Sequence, residues 1–310
     1  MGKALITLSY AADGAISSSS VAPVNIASGS SAGYRLVGSD GGVFDFRTPF
    51  HGSCEVNGSG CEKLDRQVDS IAATPDGRGY WLVARDGGVF SFGDAHFYGS
   101  CQQSAFPCGR GVDNVVAVTP TPDGEGYWLA TANGAVYSFG DAARYGSCTS
   151  AGRPCGKLSS PVVGIAASPS GGYWMATANG DVLGFGKGAP VLGTCLAKGS
   201  RCGRLDARVV GITSTPGGRG YWLVAADGGV FAFGNARFLG NTRTATVESR
   251  LVGPIVGMAR TPDGRGYWLA AADGGVFAFG EARFWGNTRT TRLEPKLVGK
   301  VTGIAFSSQL

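Results

Sequence analysis

The eight cysteines of this 310-residue chain are the residues best placed for chemistry, and they occur in four pairs of one spacing. A zinc site would need a spacing of about two to four residues and further His or Cys ligands nearby, which these segments lack. The spacing therefore predicts four disulfide bonds, each closing its own short loop, with no metal and no other cofactor. Every pair has the form C-x6-C: Cys54 and Cys61, Cys101 and Cys108, Cys148 and Cys155, Cys195 and Cys202.

Regularly paired cysteines also indicate the compartment. Disulfides persist in oxidising surroundings, whereas cytosolic thiols are kept reduced. We therefore expect the chain to lie outside the cell or on the surface of the cell envelope. The N-terminal segment MGKALITLSYAADG has too short an apolar run for a secretory signal, so we expect the export signal to be missing from this sequence. No apolar run approaches the ~18 residues of a spanning helix, which predicts no membrane insertion.

Residues for catalysis are scarce. A Ser-His-Asp triad needs an orienting histidine, and the chain has only His51 and His96. Both fall at or beside a position that carries Arg237 in a later copy of a repeated unit, which indicates a structural role. The GxSxG, HExxH, P-loop and Rossmann patterns do not occur. We predict that the chain is not an enzyme. The recurrent aspartates fit turn positions better than a calcium loop: Asp76, Asp123 and Asp263.

Two loops near the C-terminal end carry arginines where earlier loops carry cysteines. They read GNTRTATVESRL and GNTRTTRLEPKL, and residues 220–310 hold most of the net positive charge. Because a guanidinium presents five donors to carboxylates or acidic sugars, this sector is predicted to help bind a partner. The alternative interpretation is that these are duplicated loops that need no disulfide, and that their arginines are ordinary solvated surface charges. The candidate ligand-binding residues are Arg243, Arg250, Arg289 and Arg292, together with Trp285, which we expect to be exposed near an outer strand.

Internal repetition determines the organisation of the chain. The dipeptide Gly-Tyr recurs every 46 to 48 residues. Tryptophan follows the tyrosine in every copy except the first, where Arg35 stands instead. We treat residues 1–310 as one domain with approximate repeats at 33–78, 79–125, 126–171, 172–219, 220–265 and 266–310. The tyrosines that mark these copies are Tyr34, Tyr80, Tyr127, Tyr173, Tyr221 and Tyr267.

Each repeat is predicted to form four short strands, which in the fifth copy read VVGIT, GYWLVA, GVFAF and ARFLG. An Asp-Gly or Asn-Gly turn joins the second strand to the third, because these residues accept positive φ. The second strand is apolar on both faces, and four-stranded sheets stacked around an axis cover both. With its period, the pattern predicts an all-β protein with the β-propeller fold. A flat β-solenoid is the alternative, although its coils are usually shorter.

The two chain ends bear on the number of blades. The first-strand motif occurs seven times, from Val24 to Val301, whereas the block of the second to fourth strands occurs six times. The spare strand at residues 301–306 is therefore expected to continue into residues 1–32, where ALITLSYAADGAISSS matches the hairpin pattern. This predicts seven four-stranded blades, with the seventh closed by both termini. Six blades with an unrelated N-terminal strand is the alternative.

The best-preserved unit, GYWLVARDGGVFSFGDAHFYGS at residues 79–100, carries a family resemblance. It resembles the tandem GYWLVAxDGGVFxFGDAxFYGS repeat of secreted and cell-wall-associated actinobacterial proteins, over essentially the whole chain. The resemblance implies a β-propeller module that is frequently attached to extracellular hydrolases or surface proteins. It implies no catalytic residues.

Composition and charge limit the range of partners. The 53 glycines and a charged fraction of 16% are typical of many tight turns between buried strands. A net charge of +5 over the whole chain is too weak to predict nucleic-acid binding. We predict a non-enzymatic extracellular recognition module that binds a glycan or an extracellular protein through the loops after the fourth strands. The alternatives are a structural subunit of a self-assembling surface layer or filament, and an accessory domain of a cell-wall hydrolase.

Overall fold

The computed structural model describes residues 32–55, 61, 64–103, 108, 112, 114–151, 154–200, 202–243, 251–289, 297 and 299–308. The regular structure of these residues consists of β-strands, so the predicted all-β class is confirmed. None of the described segments is a helix long and apolar enough to cross a membrane. The strands, in chain order, are β1 Gly33–Gly38, β2 Val43–Phe46, β3 Val68–Ala73, β4 Tyr80–Ala84, β5 Val89–Phe92, β6 Val115–Pro120, β7 Gly126–Thr131, β8 Val136–Gly140, β9 Val162–Ala167, β10 Tyr173–Thr177, β11 Val182–Phe185, β12 Val209–Ser214, β13 Gly220–Ala225, β14 Val230–Gly234, β15 Ile255–Arg260, β16 Gly266–Ala271, β17 Val276–Gly280 and β18 Val301–Ser307.

The described strands form small antiparallel sheets of three strands each, which repeat along the chain. Five sheets use consecutive strands: β3-β4-β5, β6-β7-β8, β9-β10-β11, β12-β13-β14 and β15-β16-β17. The sixth sheet joins the last described strand to the first two, in the order β18-β1-β2. We call β3, β6, β9, β12, β15 and β18 the inner strands. Each inner strand lies against the inner strands of neighbouring sheets.

Glycine and aspartate set the ends of the second and third strands. In the second repeat Gly87 has φ 82°, a value that suits glycine, and Asp86 Oδ1 accepts a hydrogen bond of 3.0 Å from Gly88 N–H. A Cβ placed on Gly87 would lie 2.5 Å from Cys101 Cβ, so the glycine also lets the following loop approach the hairpin. The Asp-Gly hairpin predicted from the sequence is therefore present. Its glycine adopts the positive φ of the turn and leaves room for the loop at Cys101.

The predicted fourth strand is not a strand in the described residues. The segment 95–100 pairs with no strand, and β5 is the last strand of its sheet. Side chains bind its carbonyls instead: Trp81 Nε1–H donates to His96 O at 2.8 Å, and the Tyr127 hydroxyl donates to Gly99 O at 2.5 Å. Because these donors belong to two different sheets, the segment is held across the junction between sheets. The prediction of four-stranded sheets was therefore wrong here.

The strand β18 completes the sheet of the first repeat. It pairs antiparallel with β1, from Gly33 opposite Ser307 to Gly38 opposite Val301, while β2 pairs with the other edge of β1. The sequence had predicted that residues 301–306 continue into residues 1–32 as a seventh blade. The observed partner of β18 is β1, whose other edge pairs with β2. Residues 1–31 themselves lie outside the described residues.

The core lies at the junctions between sheets, where a tryptophan of one repeat meets the tyrosine of the next. At one junction the ring centroids of Trp222 and Tyr267 are 5.8 Å apart, and both side chains are almost fully buried. Burial raises the pKa of Tyr267 to about 12, so its hydroxyl stays protonated and donates to Gly240 O at 2.6 Å. Equivalent ring contacts join Trp81 to Tyr127, Trp128 to Tyr173, Trp174 to Tyr221 and Trp268 to Tyr34.

The junction between the first two repeats has Arg35 in the place of tryptophan. Its fully buried guanidinium lies over the Tyr80 ring, with Cζ 4.8 Å from the centroid. It also donates to Pro49 O at 3.3 Å, the carbonyl that corresponds to the acceptor of tryptophan in other repeats. Its Nε pairs with Asp45 at 2.6 Å, at a position that holds Ser91 in the second repeat. Arg35 therefore reproduces both contacts of the tryptophan, with Asp45 as its counter-ion.

We expect the single variant Asp45→Ser to lower the free energy of unfolding by about 3–5 kcal/mol, because it leaves a buried guanidinium without a counter-ion. The double variant Arg35→Trp/Asp45→Ser copies Trp81 and Ser91 of the second repeat. It should be at least as stable as the wild type, since it removes both buried charges. Urea unfolding followed by circular dichroism measures both. A single variant of wild-type stability, or a double variant no better than the single one, would contradict this interpretation.

Candidate functional site

The predicted binding loops lie at one end of the sheets, beside the hairpins between second and third strands. In the second repeat the Cys101 N–H donates to Gly87 O at 3.0 Å, and the next inner strand starts at the same end, where Val115 N–H donates to Arg85 O at 2.9 Å. We call this end, with its hairpins and following loops, the hairpin face. The turns between inner and second strands lie at the opposite end, which we call the turn face: residues 74–79, 121–126, 168–172, 215–220 and 261–266.

The four predicted disulfides are present, and the described residues contain no free cysteine. The first cysteine of each disulfide packs closely against the hairpin glycine of its own repeat. In the third repeat, a Cβ placed on Gly134 would lie 2.7 Å from Cys148 Cβ. In the fifth repeat Thr242 takes the place of the first cysteine, and its hydroxyl donates to Asp227 O at 3.1 Å. Four disulfide pairs indicate an oxidising environment. The pairs are Cys54–Cys61, Cys101–Cys108, Cys148–Cys155 and Cys195–Cys202.

The structure brings two of the predicted arginines to carboxylates of the same chain. Arg243 binds Asp206, and its Nη1 lies 3.4 Å from Asp227 Oδ2. Arg289 Nε lies 3.5 Å from Asp273 Oδ2, on the hairpin of the next repeat. Both guanidiniums are partly exposed and partly neutralised. Arg289 pairs within its own repeat, whereas Arg243 also pairs with Asp206 of the preceding repeat. The other two predicted arginines, Arg250 and Arg292, lie outside the described residues.

The predicted aromatic contact residue, Trp285, is half-buried and bound to the first repeat. Its Nε1–H donates to Ala32 O at 3.1 Å, and its backbone N–H donates to the Tyr34 hydroxyl at 3.1 Å. The Arg47 guanidinium lies over the ring, 4.1 Å from its centroid. These contacts come from the junction between the last and first repeats. The ring is therefore less open than the sequence led us to expect, and a part for it in ligand binding stays a prediction.

Two grooves at equivalent places in the third and fourth repeats lie beside the stapled loops of the hairpin face. The first has a volume of about 560 Å³ and the second about 400 Å³. The first groove is lined by amide and hydroxyl side chains, and the second by an amide, a carboxylate and a guanidinium, so both can form hydrogen bonds with sugar hydroxyls or peptide groups. The polar lining of the first groove is Asn133, Thr149, Ser159 and Ser160. The lining of the second groove includes Asn179, Leu196, Asp206 and Arg208.

Sequence reasoning missed the groove residues, although the repeats contained a signal for them. Asn133 and Asn179 stand where other repeats have a hairpin aspartate such as Asp86. Asparagine in place of aspartate removes a negative charge from each of the two hairpins that border the grooves. The Asn179 side chain donates to Ser159 Oγ at 3.0 Å, which links the two grooves. Arg243 borders the second groove, because it pairs with Asp206 of the groove lining.

The two histidines lie against aromatic rings. The His51 ring is 6.4 Å from the Tyr80 ring, and the His96 ring is 5.0 Å from the Tyr98 ring. In the described parts of the chain, no three His, Cys, Asp or Glu side chains are grouped so as to hold a metal ion. His51 therefore packs against the tyrosine of the next repeat, and His96 packs against a tyrosine of its own repeat.

No protein-family model matches the chain, and no curated protein is significantly similar to it. The function has to be inferred from the fold, the disulfides and the two faces of the molecule. Of these, the hairpin face combines disulfide-closed loops with grooves that are lined in part by polar side chains.

Proposed function

We propose that this chain is a non-enzymatic recognition module of an extracellular or cell-surface protein, built as a β-propeller of six blades. It binds a glycan or an extracellular protein on the hairpin face. The observation that carries the proposal is the pair of equivalent polar grooves beside the disulfide-stapled loops. Stapled loops have less conformational freedom to lose when they bind. The resemblance to repeats of secreted actinobacterial proteins supports the same function.

The contacts of β18 support a count of six blades. This strand pairs with β1 and lies against the inner strands β15 and β3. The remaining inner strands contact one another in chain order, β3 with β6, β6 with β9, β9 with β12 and β12 with β15. A ring in which β18 closes the blade of the first repeat accounts for every one of these contacts. Such a ring leaves no unpaired sheet between its first and last repeats.

Two deletions test this closure. Removing residues 297–310 deletes β18. We expect cooperative unfolding to be lost, because β1 loses one of its two partner strands and the inner strands β15 and β3 lose their common neighbour. Removing residues 1–31 is expected to change the free energy of unfolding by less than about 0.5 kcal/mol. Thermal and urea unfolding of both variants give the measurement. A large loss on removal of residues 1–31 would favour seven blades closed by both termini.

Arg243, which borders the second groove, favours an acidic partner. Arg243 is shared between Asp206 and Asp227, and all three groups are partly exposed. Exposed ion pairs contribute only about 0–1 kcal/mol, so an incoming carboxylate can replace one of these aspartates at small cost. A partner that carries carboxylates, either an acidic glycan or an acidic protein segment, therefore suits this edge.

Replacing Arg243 and Arg289 together with Ala is expected to weaken binding to acidic oligosaccharides on a glycan array several-fold and to reduce its dependence on salt. Replacing Asn133 and Asn179 with Ala should weaken binding to neutral and acidic sugars alike. The matched control is Arg219→Ala/Arg265→Ala, which removes two arginines from the turn face. Unchanged binding in both hairpin-face variants, with the fold intact, would exclude this face. An equal loss in the control would place the site on the turn face.

A second candidate function, as a subunit of a self-assembling surface structure, is favoured by a recurrent exposed apolar position. Single exposed apolar residues are common on protein surfaces, but these occupy one position in five of the repeats. They follow the third strands, whose outer edges are unpaired in the described sheets, and exposed edges favour association. The residues are Phe50, Phe97, Val191, Phe238 and Phe284, all at least 41% exposed, with Arg144 at the same position in the third repeat.

If the chain assembles through these residues, sedimentation velocity should show association that increases with concentration, and Phe238→Ser/Phe284→Ser should reduce it. Val252 is exposed and apolar but does not occupy the recurrent position, so Val252→Ser is the matched control and should have no effect on association. A wild-type chain that stays monomeric at all concentrations would remove the assembly function and leave recognition.

A further inference from the structure

A cavity of about 440 Å³ lies among the inner strands on the side of the turn face. Its volume is in the range of small-molecule sites, about 300–1,000 Å³. All six inner strands contribute to its lining. The residues at the equivalent position of these strands, just before each turn, are Ala73, Pro120, Ala167, Ser214, Arg260 and Phe306.

The lining of this cavity is apolar apart from several hydroxyl groups, backbone groups and one guanidinium. Among the described lining residues, Arg260 is the one that carries a charge. Its Nη1 donates to Thr261 O at 3.1 Å and to Pro262 O at 2.9 Å, which holds the group at the rim. Its Nε and Nη2 have no acceptor among the described residues. Three of its five N–H donors are therefore available to a ligand.

The surroundings of Arg260 leave its charge incompletely compensated. Asp263 attracts it, but Asp263 Oδ1 already accepts hydrogen bonds from the Thr261 hydroxyl and from Arg265 N–H. Burial lowers the pKa of Arg260, although a guanidinium stays protonated at any physiological pH. A cation that is partly withdrawn from water, without a bonded carboxylate, attracts an anion.

The neighbours of Arg260 at the same level differ on its two sides. Ser214, on β12, offers a hydroxyl group, whereas Phe306, on β18, offers an aromatic ring. Met258 and Ile304 line the cavity two residues before Arg260 and Phe306. The cavity therefore has a cationic, hydrogen-bonding side next to an apolar side. This is the arrangement expected for an amphipathic anion.

We propose that the cavity binds a small carboxylic acid with an apolar body of about one or two rings, its carboxylate on Arg260 and Ser214 and its body against Phe306. This site is separate from the grooves of the hairpin face and does not depend on the function proposed for them. A bidentate guanidinium–carboxylate contact gives it selectivity for the acid over a neutral analogue of the same shape.

The test uses 2-naphthoate, with 2-naphthalenemethanol as the neutral analogue, titrated into the full chain by calorimetry. We expect the wild type to bind the acid about tenfold more tightly than the alcohol, which corresponds to about 1.4 kcal/mol. Arg260→Met should remove this preference and leave binding of the alcohol unchanged. Arg219→Met, which removes an arginine of the turn face outside the cavity lining, should behave as the wild type.

Two further variants keep the test decisive. Arg260→Ala places in β15 the small residue that Ala73 and Ala167 already provide in other inner strands, so it is expected to fold and to lose the preference as Arg260→Met does. Ala167→Trp should block the acid and the alcohol together. The proposal is overturned if the folded wild type binds no 2-naphthoate at about 1 mM, a very weak affinity limit. It is also overturned if both Arg260 variants keep the preference for the acid.

Discussion

The buried contact between the tryptophan of one repeat and the tyrosine of the next is the interaction on which the rest of this structure depends. It covers the second strand, whose apolar residues lie on both faces, and its polar atoms bind the segment after the third strand. Trp222 Nε1–H donates to Arg237 O at 2.7 Å, while the Tyr267 hydroxyl donates to Gly240 O at 2.6 Å. One aromatic pair thus buries apolar surface and satisfies backbone carbonyls at the same junction.

Arg35 shows what this junction requires. A guanidinium can lie on the next tyrosine and reach the same carbonyl, so it replaces the shape and the donor of the indole. It cannot be buried without a counter-ion, and Asp45 supplies one at 2.6 Å. The packing at the junction therefore specifies a flat group with an N–H donor, and the residue type follows from the neighbours available.

Because the aromatic contacts between repeats hold the sheets together, the residues at the two ends of the sheets can differ from repeat to repeat. On the hairpin face the loops vary between Cys staples and Thr-Arg sequences, yet both rest on the same hairpin glycine. On the turn face the inner strands converge on an apolar cavity with one arginine at its rim. Polar grooves on one side and a cation in apolar surroundings on the other suit ligands of different chemistry.

Much of this protein follows from its sequence alone: the all-β class, the 46-to-48-residue repeat, the hairpin turns and the four disulfides. These features are local, since turn residues and a C-x6-C spacing act within one repeat. Other features were decided by tertiary contacts. In the described residues the segment after the third strand is not a strand, and side chains from two sheets bind its carbonyls. The strand β18 pairs with β1, more than 250 residues away in the chain. The partners of Arg243 and the setting of Arg260 likewise depend on residues that only the packed sheets bring together, which no local pattern specifies.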